Sequence, residues 1–236
     1  MGLLCSGVTM RRAAKLAGVA RRTMERRFRW LAEQARKAHE VFLSAEGSKT
    51  SYVQFDEMET REGSKLRPLS IALAVRAKTG QIIDAQVATK RCSGHLAKKG
   101  GKAHPDRVDT REAACTRVVE SVRQVAKPQI TIASDEKSAY PGIIKAVIKD
   151  AIFVPYKSRG NATAKAQAEP EEGEDFEIDL QKKAFDPMFR LNHMAAKLRA
   201  DISRLARRTW SISKRQRGMQ DHLAIYIAYN NGYAIA

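Results

Sequence analysis

The chain has 236 residues and a formal net charge of +17, from 43 lysines and arginines against 26 aspartates and glutamates. This excess of positive charge is larger than solubility requires and predicts a polyanionic partner, with nucleic acid as the first candidate. No apolar run approaches the roughly 20 residues of a membrane span, and three scattered cysteines exclude a disulfide framework, so we expect a cytoplasmic protein without membrane contact.

The first segment, residues 1–45, is predicted to form a small all-α arm of two helices. The stretches MRRAAKLA and RRTMERRFRWLAEQARKAHEVF have a helical pattern, and a short turn centred on Gly18 separates them. Two helices joined by such a turn are typical of a helix-turn-helix DNA-binding unit. The residues predicted to contact DNA here are Arg21, Arg22, Arg26 and Arg27. The alternative is a solvated basic pair of helices with no role in DNA binding.

Residues 50–236 predict a larger α/β domain, after a polar linker near residues 43–51. Three β-like runs, SYVQFDE, PLSIALAVRA and QIIDAQVA, come first, and Lys78-Thr79-Gly80 predicts a tight hairpin between the last two. A basic loop over residues 92–107 then leads to a helix, the strand QITIASDE, a second helix and the short strand AIFVPY. This order predicts a mixed sheet flanked by helices, which is the order of elements in an RNase H-like fold.

An acidic insertion at about residues 166–180 precedes two helices near the C-terminus. The insertion contains AEPEEGEDFEID, and two interpretations stay open: a solvated loop, or a tethered mimic of DNA that shields a basic groove. The first helix is predicted over residues 190–208, with a buried apolar stripe beside a basic stripe, and the second over about 214–229. The DNA-contacting residues predicted in the first helix are Arg204, Arg207 and Arg208.

Two aspartates end predicted strands, and each is followed by a glutamate. Asp56 closes the first strand and Asp135 closes the fourth, so both side chains would lie at one edge of the sheet if the strands are neighbours. Two hard divalent cations shared by such carboxylates can bridge a scissile phosphate and lower the pKa of the attacking water or hydroxyl. The alternative is that both aspartates simply solvate the strand ends.

Several phrases together resemble one family of DNA-processing enzymes. LLCSGVTMRRAAKLAGVARRT, QFDEMET, IASDEKSAY and RLNHMAAKLRADISRLARRTW are similar to the bacterial insertion-sequence-one type transposases, a DDE group with an RNase H-like catalytic core. The resemblance implies strand cleavage at transposon ends and attack of the freed 3′-hydroxyl on target DNA. It also implies two Mg²⁺ or Mn²⁺ ions as cofactors, double-stranded DNA as the partner, and a homo-oligomer acting on paired ends.

The resemblance also assigns the site residues. The first catalytic aspartate of the family falls on Asp56, the second on Asp135, and a downstream lysine that contacts phosphate falls on Lys65. The third acid of the family, a glutamate, falls on Asn192, whose amide oxygen can ligate Mg²⁺ but brings no charge. The set implied for catalysis and metal binding is therefore Asp56, Asp135 and Asn192.

Three nearby side chains are weaker candidates for a third ligand. Asp201 lies about 180° around the helix from Asn192 and is expected to form an ion pair with the basic stripe. Asp186 would reach the site only if the chain bends toward the sheet. His193 is a possible ligand or phosphate contact, although a lone histidine is more often structural.

The sequence leaves three functions open. An active transposase is the first. A catalytically impaired derivative that binds DNA and represses transposition is the second, favoured by Asn192 and by the absence of the Cys-rich zinc segment that often precedes the helix-turn-helix in this family. The third is a nuclease without strand transfer.

Overall fold

A five-stranded mixed sheet forms the centre of the protein. The computed structural model describes residues 1–156, 186–206 and 213–233. The strands are β1 (Thr50–Glu62), β2 (Ser64–Arg76), β3 (Ile82–Thr89), β4 (Ala126–Asp135) and β5 (Ile152–Tyr156). Their order in the sheet is β3-β2-β1-β4-β5, with β2 antiparallel to both of its neighbours, β1 and β3, and with β4 and β5 added in parallel to β1. The predicted α/β class with a mixed sheet is confirmed.

The first strand is longer than the sequence predicted. Pairing between β1 and β4 ends at Gln54 with Ala133, but pairing between β1 and β2 continues past that point. Asp56 therefore lies in the middle of β1, and the prediction that it closes the strand is wrong. The predicted hairpin between β2 and β3 is present: Gly80 has a φ of 73° and donates its N–H to the carbonyl of Arg76 at 2.8 Å.

Seven α-helices accompany the sheet in the described part of the chain. They are α1 (Met10–Leu16), α2 (Arg21–Ser44), α3 (Ala97–Ala103), α4 (Arg111–Val125), α5 (Tyr140–Val147), α6 (Phe189–Asp201) and α7 (Gln216–Asn231). Helix α3 lies within the segment predicted to be a basic loop. Helix α6 ends at Asp201 and does not continue to residue 208, because Ile202 is extended and the following turn buries both Ile202 and Leu205.

Helices cover both faces of the sheet. Helices α4 and α5 pack on one face, around Val53, Phe55 and Ile132. Helices α6 and α7 pack on the other face, around Ile71 and Leu223. Each face therefore has its own apolar core, and apolar strand residues on both sides of the sheet are removed from water.

The N-terminal helices share the second of these cores. Leu4 and Phe28 belong to the same buried cluster as Ile71 and Leu223, and α2 lies along α7. The predicted linker contains a short 3₁₀ helix, Glu46–Ser48, which leads directly into β1. The acidic insertion at about residues 166–180 lies outside the described residues. Among the described residues no helix combines the length and apolar character that crossing a membrane requires.

Candidate active site

Asp56 and Asp135 lie on the same face of neighbouring parallel strands. Gln54 of β1 is paired with Ala133 of β4, and each aspartate follows its paired residue by two positions. Because side chains alternate along a strand, Asp56 and Asp135 point to the face that α6 covers. Adjacent strands are about 4.8 Å apart, so the two carboxylates are neighbours.

The electrostatics of Asp56 reflect this proximity. The pKa of Asp56 is raised from 3.8 to about 7, mainly by burial and also by the negative charge of Asp135. A hydrogen bond from Tyr140 and the positive charge of Lys137 act in the opposite direction. Two carboxylates in a partly desolvated position repel each other, and a bound cation would relieve that repulsion.

The glutamate after Asp56 has a structural role. Glu57 points to the opposite face, where it forms an ion pair with Lys137 and accepts a hydrogen bond from Ser70 at 2.7 Å. The hydroxyl of Tyr140 lies 3.1 Å from Glu57 Oε2 and 3.3 Å from Asp56 Oδ1. Glu57 is therefore occupied by protein groups and is not available as a further metal ligand.

Lys137 and Tyr140 are functional candidates that sequence reasoning missed. Both follow Asp135 in the phrase SDEKSAY, between β4 and α5. The Tyr140 ring is buried against Phe55, and the Lys137 ammonium lies 5.0 Å from its centroid. Burial and the nearby carboxylates raise the pKa of Tyr140, which keeps its hydroxyl protonated as a hydrogen-bond donor to the acidic pair. The only available signal was their position directly after the second aspartate.

Asn192 projects from the second turn of α6, whose start is fixed by two side chains. Asp186 accepts the N–H of Met188 at 2.9 Å, and Gln54 of β1 accepts the N–H of Leu191 at 2.9 Å. Asn192 Nδ2 donates to the second oxygen of Asp186 at 2.9 Å. Asp186 therefore holds the turn that leads into α6 and orients the Asn192 amide.

Asp56 and Asn192 line one cleft of about 800 Å³, and Lys65 lies in its wall; Asp135 is not among the lining residues. The cations that line this cleft are Arg61, Lys65, Lys90, Arg91 and Arg199. Lys90 forms an ion pair with Glu59, while Lys65 is exposed. A concave surface that is lined by both acidic and basic side chains suits a phosphodiester bound over divalent ions.

No third acidic ligand joins the pair in the described part of the chain. Residues 1–156, 186–206 and 213–233 contain no group of three or more histidine, cysteine, aspartate or glutamate side chains placed to hold a metal ion. Asp201 accepts a hydrogen bond from Tyr226 at 2.6 Å and forms no ion pair with another described residue, and His193 stacks on Phe189. The donors available to a cation here are two carboxylates and the amide of Asn192, which are the hard oxygen ligands that Mg²⁺ prefers.

The arginines predicted to contact DNA occupy different environments. All four in α2 are exposed, and Arg21 also pairs with Glu25 at 3.0 Å. Arg204 follows the end of α6 and packs its guanidinium 5.4 Å above the ring of Phe28, where burial lowers its pKa. This differs from the predicted position on the basic stripe of a helix. Arg207 and Arg208 lie outside the described residues.

Comparison with known protein families and with curated proteins finds no match for this sequence.

Proposed function

We propose that the chain is a DDE-type transposase with an RNase H-like core, which binds transposon-end DNA and catalyses Mg²⁺-dependent strand cleavage and strand transfer. The observation that carries the proposal is the acidic pair: Asp56 and Asp135 project from adjacent parallel strands to one face, and the charge of Asp135 disfavours ionisation of Asp56. The strand order β3-β2-β1-β4-β5 is the one expected of an RNase H-like core and supports the proposal.

Each residue of the site has a task in this proposal. Asp56, Asp135 and the amide oxygen of Asn192 would hold two Mg²⁺ or Mn²⁺ ions. Such ions supply charge neutralisation at the scissile phosphate and a lower pKa for the attacking water or hydroxyl. Lys65 would bind a phosphate in the same cleft. Tyr140 would orient Asp56 through its hydrogen bond.

The rest of the molecule would hold the DNA. A net charge of +17 provides a strong attraction to a polyanion. Helices α1 and α2 are joined by a four-residue turn, residues 17–20, in which Gly18 has a φ of 62°; this supports a helix-turn-helix arrangement. The exposed arginines at the start of α2 would contact DNA phosphates, and pairing of two transposon ends would require a homo-oligomer.

A metal-dependent cleavage assay tests the proposal. Supercoiled plasmid is incubated with the protein and Mg²⁺, with EDTA as the blank, and conversion to nicked or linear DNA is followed on a gel. We expect Asp56→Ala and Asp135→Ala to abolish conversion, because each removes a charged ligand from a two-carboxylate site. Asp150→Ala, an exposed acid after α5, is the matched control and should retain full activity. Equal conversion by all four proteins would refute the proposal.

Strand transfer needs a separate readout. A labelled oligonucleotide with a free 3′-hydroxyl should become joined to the plasmid by the active protein. Cleavage without any joined product would identify a nuclease in place of a transposase.

One observation favours a second candidate function, a catalytically impaired DNA-binding repressor. The third ligand position carries an uncharged amide, and Asp186 already binds its nitrogen. A repressor would bind duplex DNA in the presence of Mg²⁺ and leave the plasmid intact.

A further inference from the structure

A second cleft of about 720 Å³ lies at the other end of β1. Its walls come from the segment that enters β1, the turn after β2 and the start of α6, with Tyr156 of β5 at one side. None of its lining residues belongs to the cleft that contains Asp56 and Asn192. It is therefore a separate concavity.

Positive charge dominates this second cleft. Its lining includes five cations, Lys49, Arg76, Lys78, Lys127 and Arg190. Its one carboxylate, Asp186, is already bound to the start of α6 and to Asn192. None of the five cations forms an ion pair within the residues that the structure describes. Such a surface attracts anions. A nucleic-acid backbone carries a row of phosphate charges and can contact several of these cations at once.

Arg76 makes this charge unusual. Its side chain is only 9% exposed, yet no carboxylate pairs with it in the described part of the chain. One terminal nitrogen donates to the carbonyl of Ser48, the guanidinium lies 5.7 Å from the centroid of the Phe42 ring, and Nε has no hydrogen-bond partner among the described residues. The carbonyl and the ring hold the guanidinium in place without neutralising it, so Arg76 adds to the positive potential of the cleft.

Three aromatic side chains share the cleft with these cations. They are Tyr52, Tyr156 and Phe189. Phe189 is 51% exposed, and His193 stacks on it at 5.7 Å between ring centroids with an interplanar angle of 22°. Exposed aromatic rings beside a basic groove are the combination that binds single strands, because unpaired bases stack on the rings while cations hold the phosphates. A duplex keeps its base faces stacked internally and cannot use the rings in this way.

We propose that this second cleft binds single-stranded DNA. Lys78, Lys127 and Arg190 hold successive phosphates, and Phe189 stacks with an unpaired base. The site goes beyond the proposed transposase activity, because it contains none of the predicted catalytic residues and binding there needs no metal ion.

Fluorescence anisotropy with a labelled oligo(dT) of about 12 nucleotides, within the size range of such sites, tests the proposal in EDTA. We expect Phe189→Ala to weaken binding about tenfold, as loss of one base-stacking contact does, and the pair Lys78→Ala with Lys127→Ala to weaken it at least as much. The matched controls are Tyr229→Ala, an exposed aromatic residue on α7, and the pair Lys145→Ala with Lys149→Ala at α5. Thermal unfolding confirms that each variant is folded.

Further arms separate stacking from simple charge attraction. An abasic strand of the same length should bind several-fold more weakly than oligo(dT) to the unaltered protein, and this difference should disappear in Phe189→Ala. Equal losses in cleft and control variants, or equal binding of abasic and normal strands, would overturn the proposal. A single nucleotide that binds as tightly as the oligonucleotide would overturn it in favour of a mononucleotide site. Asp135→Ala should keep its affinity for oligo(dT), so failure of the transposase proposal would leave this result intact.

Discussion

His222 is a titratable side chain in the core that its neighbours hold neutral. It is 2% exposed, its Nε2 donates to the carbonyl of Leu4 at 2.7 Å, and its Nδ1 has no partner among the described residues. The pKa of His222 is lowered from 6.5 to about 4, mainly by burial; the hydrogen bond to Leu4 acts against this shift, and the positive charge of Arg204 acts with it. Protonation would place a charge on Nδ1 in an apolar site beside another cation.

This histidine gives stability a predictable pH dependence. Because the folded pKa lies below the unfolded value, the contribution of neutral His222 is complete above about pH 6.5 and is lost as the pH falls toward 4. The loss is on the order of 3 kcal/mol. We expect His222→Gln, which keeps a donor for Leu4, to flatten the pH dependence of the unfolding free energy measured with urea. His95→Gln, at an exposed site, should leave the slope unchanged; a similar slope in all three proteins would contradict this account.

Asn192 gives a second prediction at the scale of one side chain. If its amide is the third ligand of the metal site, Asn192→Glu adds the missing negative charge beside Asp56. The concentration of Mg²⁺ that gives half-maximal plasmid cleavage should then fall about tenfold, which corresponds to about 1.4 kcal/mol of metal binding. His193→Glu adds the same charge at the neighbouring position and should not lower the requirement for Mg²⁺. An unchanged requirement in Asn192→Glu would remove this residue from the site.

At the scale of secondary-structure elements, Gln54 joins β1 to α6. Its side-chain nitrogen donates to the carbonyl of Pro187 at 2.6 Å, and its oxygen accepts the N–H of Leu191 at 2.9 Å. The N–H groups of the first helical turn have no partner within the helix, so Gln54 supplies one of those missing partners. This pair of bonds fixes α6 over the sheet and determines where Asn192 lies relative to Asp56.

Replacement of Gln54 should therefore affect both stability and the site. Gln54→Leu leaves a carbonyl and an N–H buried without partners, which should lower the unfolding free energy by about 2 kcal/mol. Gln54→Glu keeps the acceptor for Leu191 and should retain more of the stability than Gln54→Leu. Urea denaturation measures both values. Equal losses for the two variants would show that the bond to Leu191 contributes nothing.

The elements also show how far the sequence could predict the structure. Alternation of apolar and polar residues located the strands, and the acids in QFDE and SDEK located the acidic pair, because both signals are local. The extension of β1 beyond Asp56 depends on pairing with β2, and the end of α6 at Asp201 depends on burial of Ile202. A short segment of sequence predicts neither of these contacts.

The sequence did not predict the bond between Gln54 and Leu191 or the second cleft, because both depend on contacts between distant parts of the chain. Gln54 and Leu191 are far apart in sequence, and no periodicity connects them. The second cleft is assembled from segments around Lys49, Arg76, Lys127 and Phe189, which lie on four different parts of the chain. Its basic and aromatic residues have no shared motif, so only the folded chain shows them together.

At the scale of the whole molecule, the N-terminal helices are part of the main structure. Asp221 of α7 is buried and pairs with Arg36 of α2, while His39 contacts the hydroxyl of Tyr233 at 3.1 Å. Breaking either contact would leave a polar group in a partly buried interface without its partner. We infer that α2 is held in a fixed orientation on α7, so that its exposed arginines present a constant surface for the proposed contact with DNA.

The exposed arginines of α2 lead to a prediction about the salt dependence of DNA binding. Arg22 and Arg26 are exposed and form no ion pair within the described residues, so each can neutralise a phosphate and release a counterion. The logarithm of the association constant for duplex DNA should fall linearly with the logarithm of salt concentration, with a slope of about −0.9 per phosphate contact. Replacing both with glutamine should reduce the magnitude of that slope by about 2. The pair Lys145→Gln with Lys149→Gln removes the same charge outside α2 and should leave the slope unchanged. If both double variants reduce the slope equally, the duplex is held by overall charge, and α2 has no particular role in binding it.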